Sequence, residues 1–326
     1  MNQTSNIYKE LLHEEVEAVV RSAHLAASED SWTYSLLSGG LFNTTYLLKM
    51  KDDKQYVLRV APIKPELLMD FEKTMMAAEP YIYSLLESKQ IPVPRVIKMD
   101  DSKSVIPRSY ILMERVEGVP LNHDSIPEGA REKLLVQLGG YIKIMHSIQH
   151  AKFGWPTSDG DVRGDECWSK VMHALVKEMT ARLRNHQLVG EQELKQIERV
   201  YDSLRDAYDE VRQPSLVHND LWDPNVLAAQ VNGEWKITAI IDVDRAMFAD
   251  PEYEYVLWGQ GEAIMQGYGH SLEGTPQAVL RRKSYHLMLC IMNTYVFAVE
   301  YDDQAAFEQS KQEITACLQT LKGAIT

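Results

Sequence analysis

Within the stretch LVHNDLWDPNVL, residues 216–227, Asp220 and Asn225 stand five residues apart, and His218 precedes the acid by two. Further on, the apolar run of ITAIIDVDRA ends on Asp242. An acid and an amide in one loop, with a second acid at the end of a nearby strand, suit phosphoryl transfer. That reaction needs an acceptor hydroxyl held in line, metal ions bridging the phosphates, and a base or orienting group for the hydroxyl proton. Asp220 is the candidate base. Asn225 and Asp242 are candidate ligands for Mg²⁺, a hard ion that prefers oxygen and keeps several waters. The spacing lets Asp220 face the hydroxyl while Asn225 turns toward metal, and His218 is read as holding the loop by hydrogen bonds. Taken alone, the loop also reads as a capped turn before a strand. The strand carrying Asp242, at the right distance and in the right order, favours the chemical reading.

These residues need strands and helices to position them. TYSLLSGGLFNTTYLLKM reads as two strands joined at Gly39-Gly40, and KQYVLRVAP as a third. ELLMDFEKTMMAAEPYIYSLLESK has helical spacing, and Pro80 inside it predicts a kink or break. IPVPRVI is extended, and SYILMERVEG is a buried strand ending at Gly118. From about residue 130 the pattern turns helical, with apolar faces at Leu134–Ile148, Trp168–Leu183 and Leu194–Tyr208. Residues 216–243 interrupt it with short strands, and two long helices follow near 277–300 and 303–322. Ile7, Leu11, Leu12, Val16, Val19 and Val20 predict a helix at the N-terminus. A β-rich part followed by an α-rich part indicates an α+β fold with two lobes, joined near MERVEG. The expected division is 1–116 and 117–326.

Composition bounds the function. The 326 residues carry 34 Lys and Arg against 47 Asp and Glu, a formal charge of −13. Such a surface repels nucleic acid and anionic lipid and favours cationic ligands. No stretch approaches the roughly 18 apolar residues of a membrane span, and the N-terminal residues do not form a signal peptide. Three cysteines, Cys167, Cys290 and Cys317, lack any short metal-ligand spacing; a sparse odd count fits reduced thiols in the cytoplasm.

The sequence resembles the aminoglycoside phosphotransferase family, whose fold is that of protein kinases and which includes choline, fructosamine, homoserine and methylthioribose kinases. VHNDLWDPN is similar to its H-x-D-x-x-x-x-N catalytic loop, and IIDVDRAMFADP to its I-D-x-[DE]-x-A…G-D-P segment. LSGGLFNTTYLL resembles its nucleotide-covering loop, YVLRV its phosphate-contacting strand, LMERVEG its hinge and LGGYIKIMHSI its central helix. The resemblance implies a bilobal kinase-like fold and several roles. Ser38, Gly39 and Gly40 would cover the nucleotide. Arg59 would contact the α/β-phosphates where many relatives use Lys, and Glu79 would pair with it, with Glu72 as the alternative. The backbone of Glu114 and Val116 would hold the adenine edge, and Leu227 and Ile241 would floor the base.

The chain departs from the family pattern at Asn219, where Gly is usual, at Ala249, which replaces the Gly of G-D-P, and at Glu254, where Asp is usual. Asp250 is expected to organise the catalytic loop. Trp222, Glu252, Tyr255 and Trp258 lie near the expected acceptor side, where aromatic faces and acids suit a cation; ordinary packing is the alternative. Glu262, Glu273, Asp302 and Asp303 either line a cleft or form a solvated face.

The functional expectation is a cytoplasmic, Mg²⁺-dependent transfer of the γ-phosphoryl group of ATP or GTP to a small-molecule hydroxyl, an aminoglycoside by first choice. A metabolic kinase acting on choline, homoserine or a sugar is the alternative. A nucleotide-binding regulatory protein without turnover is the alternative from another class.

Overall fold

The computed structural model of the chain describes residues 5–25, 31–37, 42–258 and 261–325. After an N-terminal helix, α1 (His13–Ser22), come strands β1 (Thr33–Leu36), β2 (Thr44–Lys49) and β3 (Gln55–Val60), helix α2 (Glu72–Ser88), and strands β4 (Val96–Asp100) and β5 (Tyr110–Glu114). The five strands form one antiparallel sheet in the order β1-β2-β3-β5-β4. Alternate residues Tyr46, Leu48, Leu58, Val60, Tyr110 and Leu112 face one side, and the valines 16, 19 and 20 of α1 pack against them. Burying each such aliphatic side chain contributes about 1.5–3 kcal/mol, enough to dock a helix of ten residues. The helix starts later than the spacing from Ile7 implied. The Leu12 amide donates to Glu15 Oε2 (2.8 Å), fixing the first turn there, while the Ile7 carbonyl accepts from the Ile63 amide (2.9 Å).

Helix α2 runs without a break through Pro80. Its face of Met75, Met76, Ala78, Ile82, Tyr83 and Leu86 is buried, and that packing outweighs the hydrogen bond that proline removes.

The chain continues through β6 (Val119–Pro120), α3 (Glu128–His146), β7 (Phe153–Pro156), β8 (Val162–Asp165), α4 (Trp168–Asn185), α5 (Glu191–Ser203), α6 (Arg205–Asp209) and β9 (Ser215–Val217). There follow β10 (Val226–Val231), β11 (Glu234–Ile240), β12 (Met247–Ala249), α7 (Tyr255–Trp258), α8 (Glu262–Tyr268), α9 (Pro276–Tyr295) and α10 (Gln304–Ile325), the last two joined through a π-turn at Val296–Glu300. Small sheets of order β11-β10-β6 and β8-β7-β12-β9 complete the antiparallel set.

The described residues divide into two compact units. The first is drawn from 1–126, 157–161 and 223–244, and the second from 127–156, 162–222 and 245–326. In the first, β10 and β11 form a hairpin whose two-residue turn, Asn232-Gly233, has φ of 54° and 83°. Two consecutive positive φ values define the type I′ turn that matches strand twist, and Asn-Gly is its preferred sequence. In the second, α3 and α8 lie in backbone contact. A Cβ on Gly139 would sit 2.1 Å from the Ile264 carbonyl oxygen, and one on Gly267 would sit 1.9 Å from that of Val136. No helix among the described residues is long and apolar enough to cross a membrane.

Candidate active site

In the first unit, the hairpin register pairs Val226 with Ile240, and the Ile241 amide donates to the Asn225 carbonyl (3.0 Å). The tight turn, with the register shift between Leu227 and Ala228, brings Asn225, the last residue of a 3-10 turn, beside the residue preceding Asp242. Asn225 is buried, and Asp242 leaves the strand with φ 64° while its amide donates to Tyr83 Oη (3.2 Å). That left-handed backbone redirects the chain so that the next turn, 243–245, carries Asp244.

Arg59, on β3, meets these acids. Its Nη1 donates to Glu79 Oε2 (2.6 Å), and its Nη2 donates to Asp244 Oδ2 (2.9 Å) and to Asp242 Oδ1. Asn43 Nδ2 also donates to Asp244 Oδ2 (3.0 Å). Of the two candidate partners, Glu79 contacts Arg59, whereas Glu72 accepts from the Met69 amide (2.9 Å) at the start of its own helix. Burial pushes the Glu79 carboxyl well up, against the pull of Arg59, and the nearby Asp244 and Asp242 add to the rise. Burial alone would lower the Arg59 guanidinium, but Asp242, Glu79 and Asp244 hold it well above its usual value.

The donor set fits a hard divalent cation. Asn225 and Asp242 offer oxygen, the Asp242 side chain is 36% exposed, and Asp242 and Asp244 together outnumber the one guanidinium they meet. Leu227 on β10 and Ile241 after β11 are half-buried apolar side chains. The Glu114 amide donates to the Arg95 carbonyl (2.9 Å), and its carboxylate pairs with Arg95. Val116 follows two residues on, half-buried. Ser38, Gly39 and Gly40 lie outside the described residues.

Asp220 belongs to the second unit, in the loop after β9. Its amide donates to His218 Nδ1 (3.3 Å), as expected of a histidine that braces the loop. The larger anchor is Glu254, whose carboxylate accepts from the amides of His218 (2.5 Å) and Asn219 (3.0 Å). Its burial raises the acid, yet the neighbouring His146 and His218 draw it below its usual value. The expectation for Asp250 is thereby corrected. Asp250 accepts from the Glu252 amide (3.0 Å), Arg281 Nε (3.1 Å) and Tyr285 Oη (2.7 Å), so it ties the 3-10 turn to α9, and Glu254 holds the loop. The longer Glu could have been singled out as the loop's anchor from its offset in DPEYE, but its two amide donors lie 35 and 36 residues away. Asn219 has φ 62°, which explains an Asn at a position where Gly is usual, and its Nδ2 donates to the Arg245 carbonyl (3.1 Å).

On the expected acceptor side the structure separates the residues. Trp222 is exposed, Tyr255 is buried, and Glu252 is paired with Arg282 (2.5 Å). The side chain of Trp258 lies outside the described residues. Glu262, Glu273, Asp302 and Asp303 are exposed.

The sequence model of the phosphotransferase enzyme family (APH) matches residues 33–277. The chain belongs to that family, and phosphotransferase is the class its sequence defines. Among solved structures it is similar to a thermostable mutant of aminoglycoside phosphotransferase APH(4)-Ia in ternary complex with ADP and hygromycin B. That match has 19% identity and a TM-score of 0.66, over 93% of this chain and 97% of the other. It is similar to a putative fructosamine-3-kinase from Thermobifida fusca YX-ER1, at 18% identity and TM-score 0.65, over 94% and 98% of the two chains. It also resembles APH(2")-IIia in its GDP and kanamycin complex, at 15% identity and TM-score 0.62, over 94% and 98%. These likenesses show the fold, that of the kinase-like aminoglycoside phosphotransferases. No curated protein matches the chain in sequence.

Proposed function

We propose that the protein transfers the γ-phosphoryl group of ATP or GTP to a hydroxyl of a small cationic molecule of the aminoglycoside type. The observation that carries this reading is the hairpin that sets Asn225 beside the Asp242 segment, where acids outnumber the one guanidinium. Asn225 and Asp242 would hold Mg²⁺, which when bound neutralises and bridges the phosphates. Arg59, braced by Glu79, orients Asp242 and Asp244 and supplies positive charge toward the α/β-phosphates. The Glu114 carbonyl and the Val116 backbone would meet the adenine edge, Leu227 and Ile241 would floor the base, and residues 38–40 would cover the phosphates. Asp220 takes the proton of the acceptor hydroxyl as the hydroxyl oxygen attacks the γ-phosphorus and the bond to the β–γ bridging oxygen breaks, releasing the nucleoside diphosphate, while Glu254 and His218 keep the loop in place.

The acceptor class rests on two supports. Neighbouring structures hold hygromycin B with ADP and kanamycin with GDP, and this chain's formal charge of −13 attracts cations. The fructosamine-3-kinase-like neighbour keeps a metabolic alcohol as the second reading. Cytoplasmic location accords with three free thiols.

The test is a phosphorylation screen over aminoglycosides and small metabolic alcohols with both nucleotides, with and without Mg²⁺. Turnover of an aminoglycoside is the expected result, and Asp220→Ala should reduce it about 10²–10⁴-fold while nucleotide affinity holds. Normal turnover in that variant would remove the base assignment. Mg-nucleotide binding with no turnover of any acceptor would favour a regulatory protein instead.

A further inference from the structure

Away from the phosphotransfer residues, α9 and α10 bring together side chains that the linear spacing keeps apart. Contacts between the two helices run Thr294 to Ser310 and then Cys290 to Glu313, so the helices are antiparallel. His286 and Cys290 are four residues apart on α9, and Glu313 and Cys317 are four apart on α10. Each pair therefore sits on one helical face. One ligand atom each from His286, Cys290 and Cys317 lie within 4.8 Å of one another. His286 Nε2 is 3.9 Å from Cys290 Sγ, and Cys290 Sγ is 3.8 Å from Glu313 Oε2.

These separations are slightly wider than the edges of a metal polyhedron, a gap that small side-chain rotations close. Tetrahedral zinc, with Zn–S of about 2.3 Å and Zn–N of about 2.0–2.1 Å, places neighbouring ligand atoms roughly 3.5–3.8 Å apart. Two thiols and an imidazole are ligands that this borderline-soft ion takes. The site is reachable, because His286 and Cys317 line a cavity of about 630 Å³. Gln309 Nε2 donates to Glu313 Oε1 (3.0 Å) and so orients the carboxylate whose other oxygen faces Cys290.

We propose that His286, Cys290 and Cys317 form a three-residue zinc site that clasps α9 to α10, with solvent as the fourth donor and Glu313 beside Cys290 as an outer partner. Both thiols bind as thiolates and the imidazole binds neutral, so the protons they carry leave to solvent as the ion enters. A disulfide between the two sulfurs would account for the cysteines but would give His286 and Glu313 no part.

The test uses the full reduced chain, titrated with Zn²⁺ against a chromophoric chelator and with Co²⁺ read by thiolate-to-metal absorption. One equivalent is expected to bind, to raise the melting temperature, and to slow alkylation of Cys317 while Cys167, which is exposed, reacts as before. His286→Gln, at an exposed position, and Cys317→Ser should each lower zinc affinity by more than about 100-fold, beyond the effect of losing an outer-shell partner. Unchanged affinity in both variants, or equal alkylation of Cys317 with and without zinc, would overturn the site. Ready formation of a Cys290–Cys317 disulfide in a chain that ignores zinc would overturn it too, in favour of a redox pair.

Discussion

Arg59 joins three segments of the chain through one planar group, and its type matters as much as its charge. A guanidinium forks, so one side chain reaches Glu79 with Nη1 and both aspartates with Nη2. A lysine ammonium keeps the charge but not the fork. Arg59→Lys should therefore weaken Mg-nucleotide binding while the protein stays folded. Arg59→Ala should cost about 3–5 kcal/mol in urea denaturation, because it leaves the fully buried Glu79 without its counter-charge. Equal urea midpoints for Arg59→Ala and the native chain would mean that the cluster is not the anchor described here. Asn219 and Asp242 make a related point about backbone: both sit at positive φ, 62° and 64°, where most side chains are strained. Such conformations at the proposed base loop and the proposed metal ligand persist because Glu254 and Tyr83 hold the adjoining amides.

At the scale of elements, close approach decides which glycines matter. The α3 motif LGGY contains two, and only Gly139 faces α8. Gly139→Ala would press a methyl against the Ile264 carbonyl and should lower stability by at least about 1–3 kcal/mol. Gly140, with nothing within 4 Å of its would-be Cβ, is the control. There alanine should be neutral or stabilising by up to about 1 kcal/mol through helix propensity. Thermal melts of the two variants should therefore move in different directions, and a matched pair would refute the contact. The hairpin and α2 show opposite sides of local preference. Asn232-Gly233 is a turn that the local sequence already favours, and together with the register shift between Leu227 and Ala228 it sets the pairing on which Asn225 depends. Pro80 is a local breaker that burial of the helix face overrides.

For the whole molecule, acid sensitivity should have a traceable source. Glu254 titrates below its usual 4.5 in the folded chain: burial raises it, and His146 and His218 more than compensate. A depressed carboxylate contributes stability in full above its unfolded value, and the contribution disappears as pH falls through the folded one. Stability should thus decline below about pH 4.5, and Glu254→Gln should be less stable at neutral pH yet lose less on acidification. Urea midpoints measured from pH 7 to pH 3 check this, and parallel curves for the two proteins would count against Glu254 as the loop's anchor.

The sequence by itself determined the class of fold and the order of the main strands and helices, and it named the candidate acids, because each is encoded locally. Apolar periodicity defines the elements, and the candidate loop of residues 218–225 and the I-D-V-D segment are short and contiguous. Tertiary structure alone decided four things. It placed residues 223–244 with the first unit, chose Glu79 over Glu72 for Arg59, and set Glu254 under the amides of His218 and Asn219. It also gathered His286, Cys290, Glu313 and Cys317 between two antiparallel helices. Such pairings join residues tens to hundreds of positions apart, and they depend on register and burial, which no local spacing records.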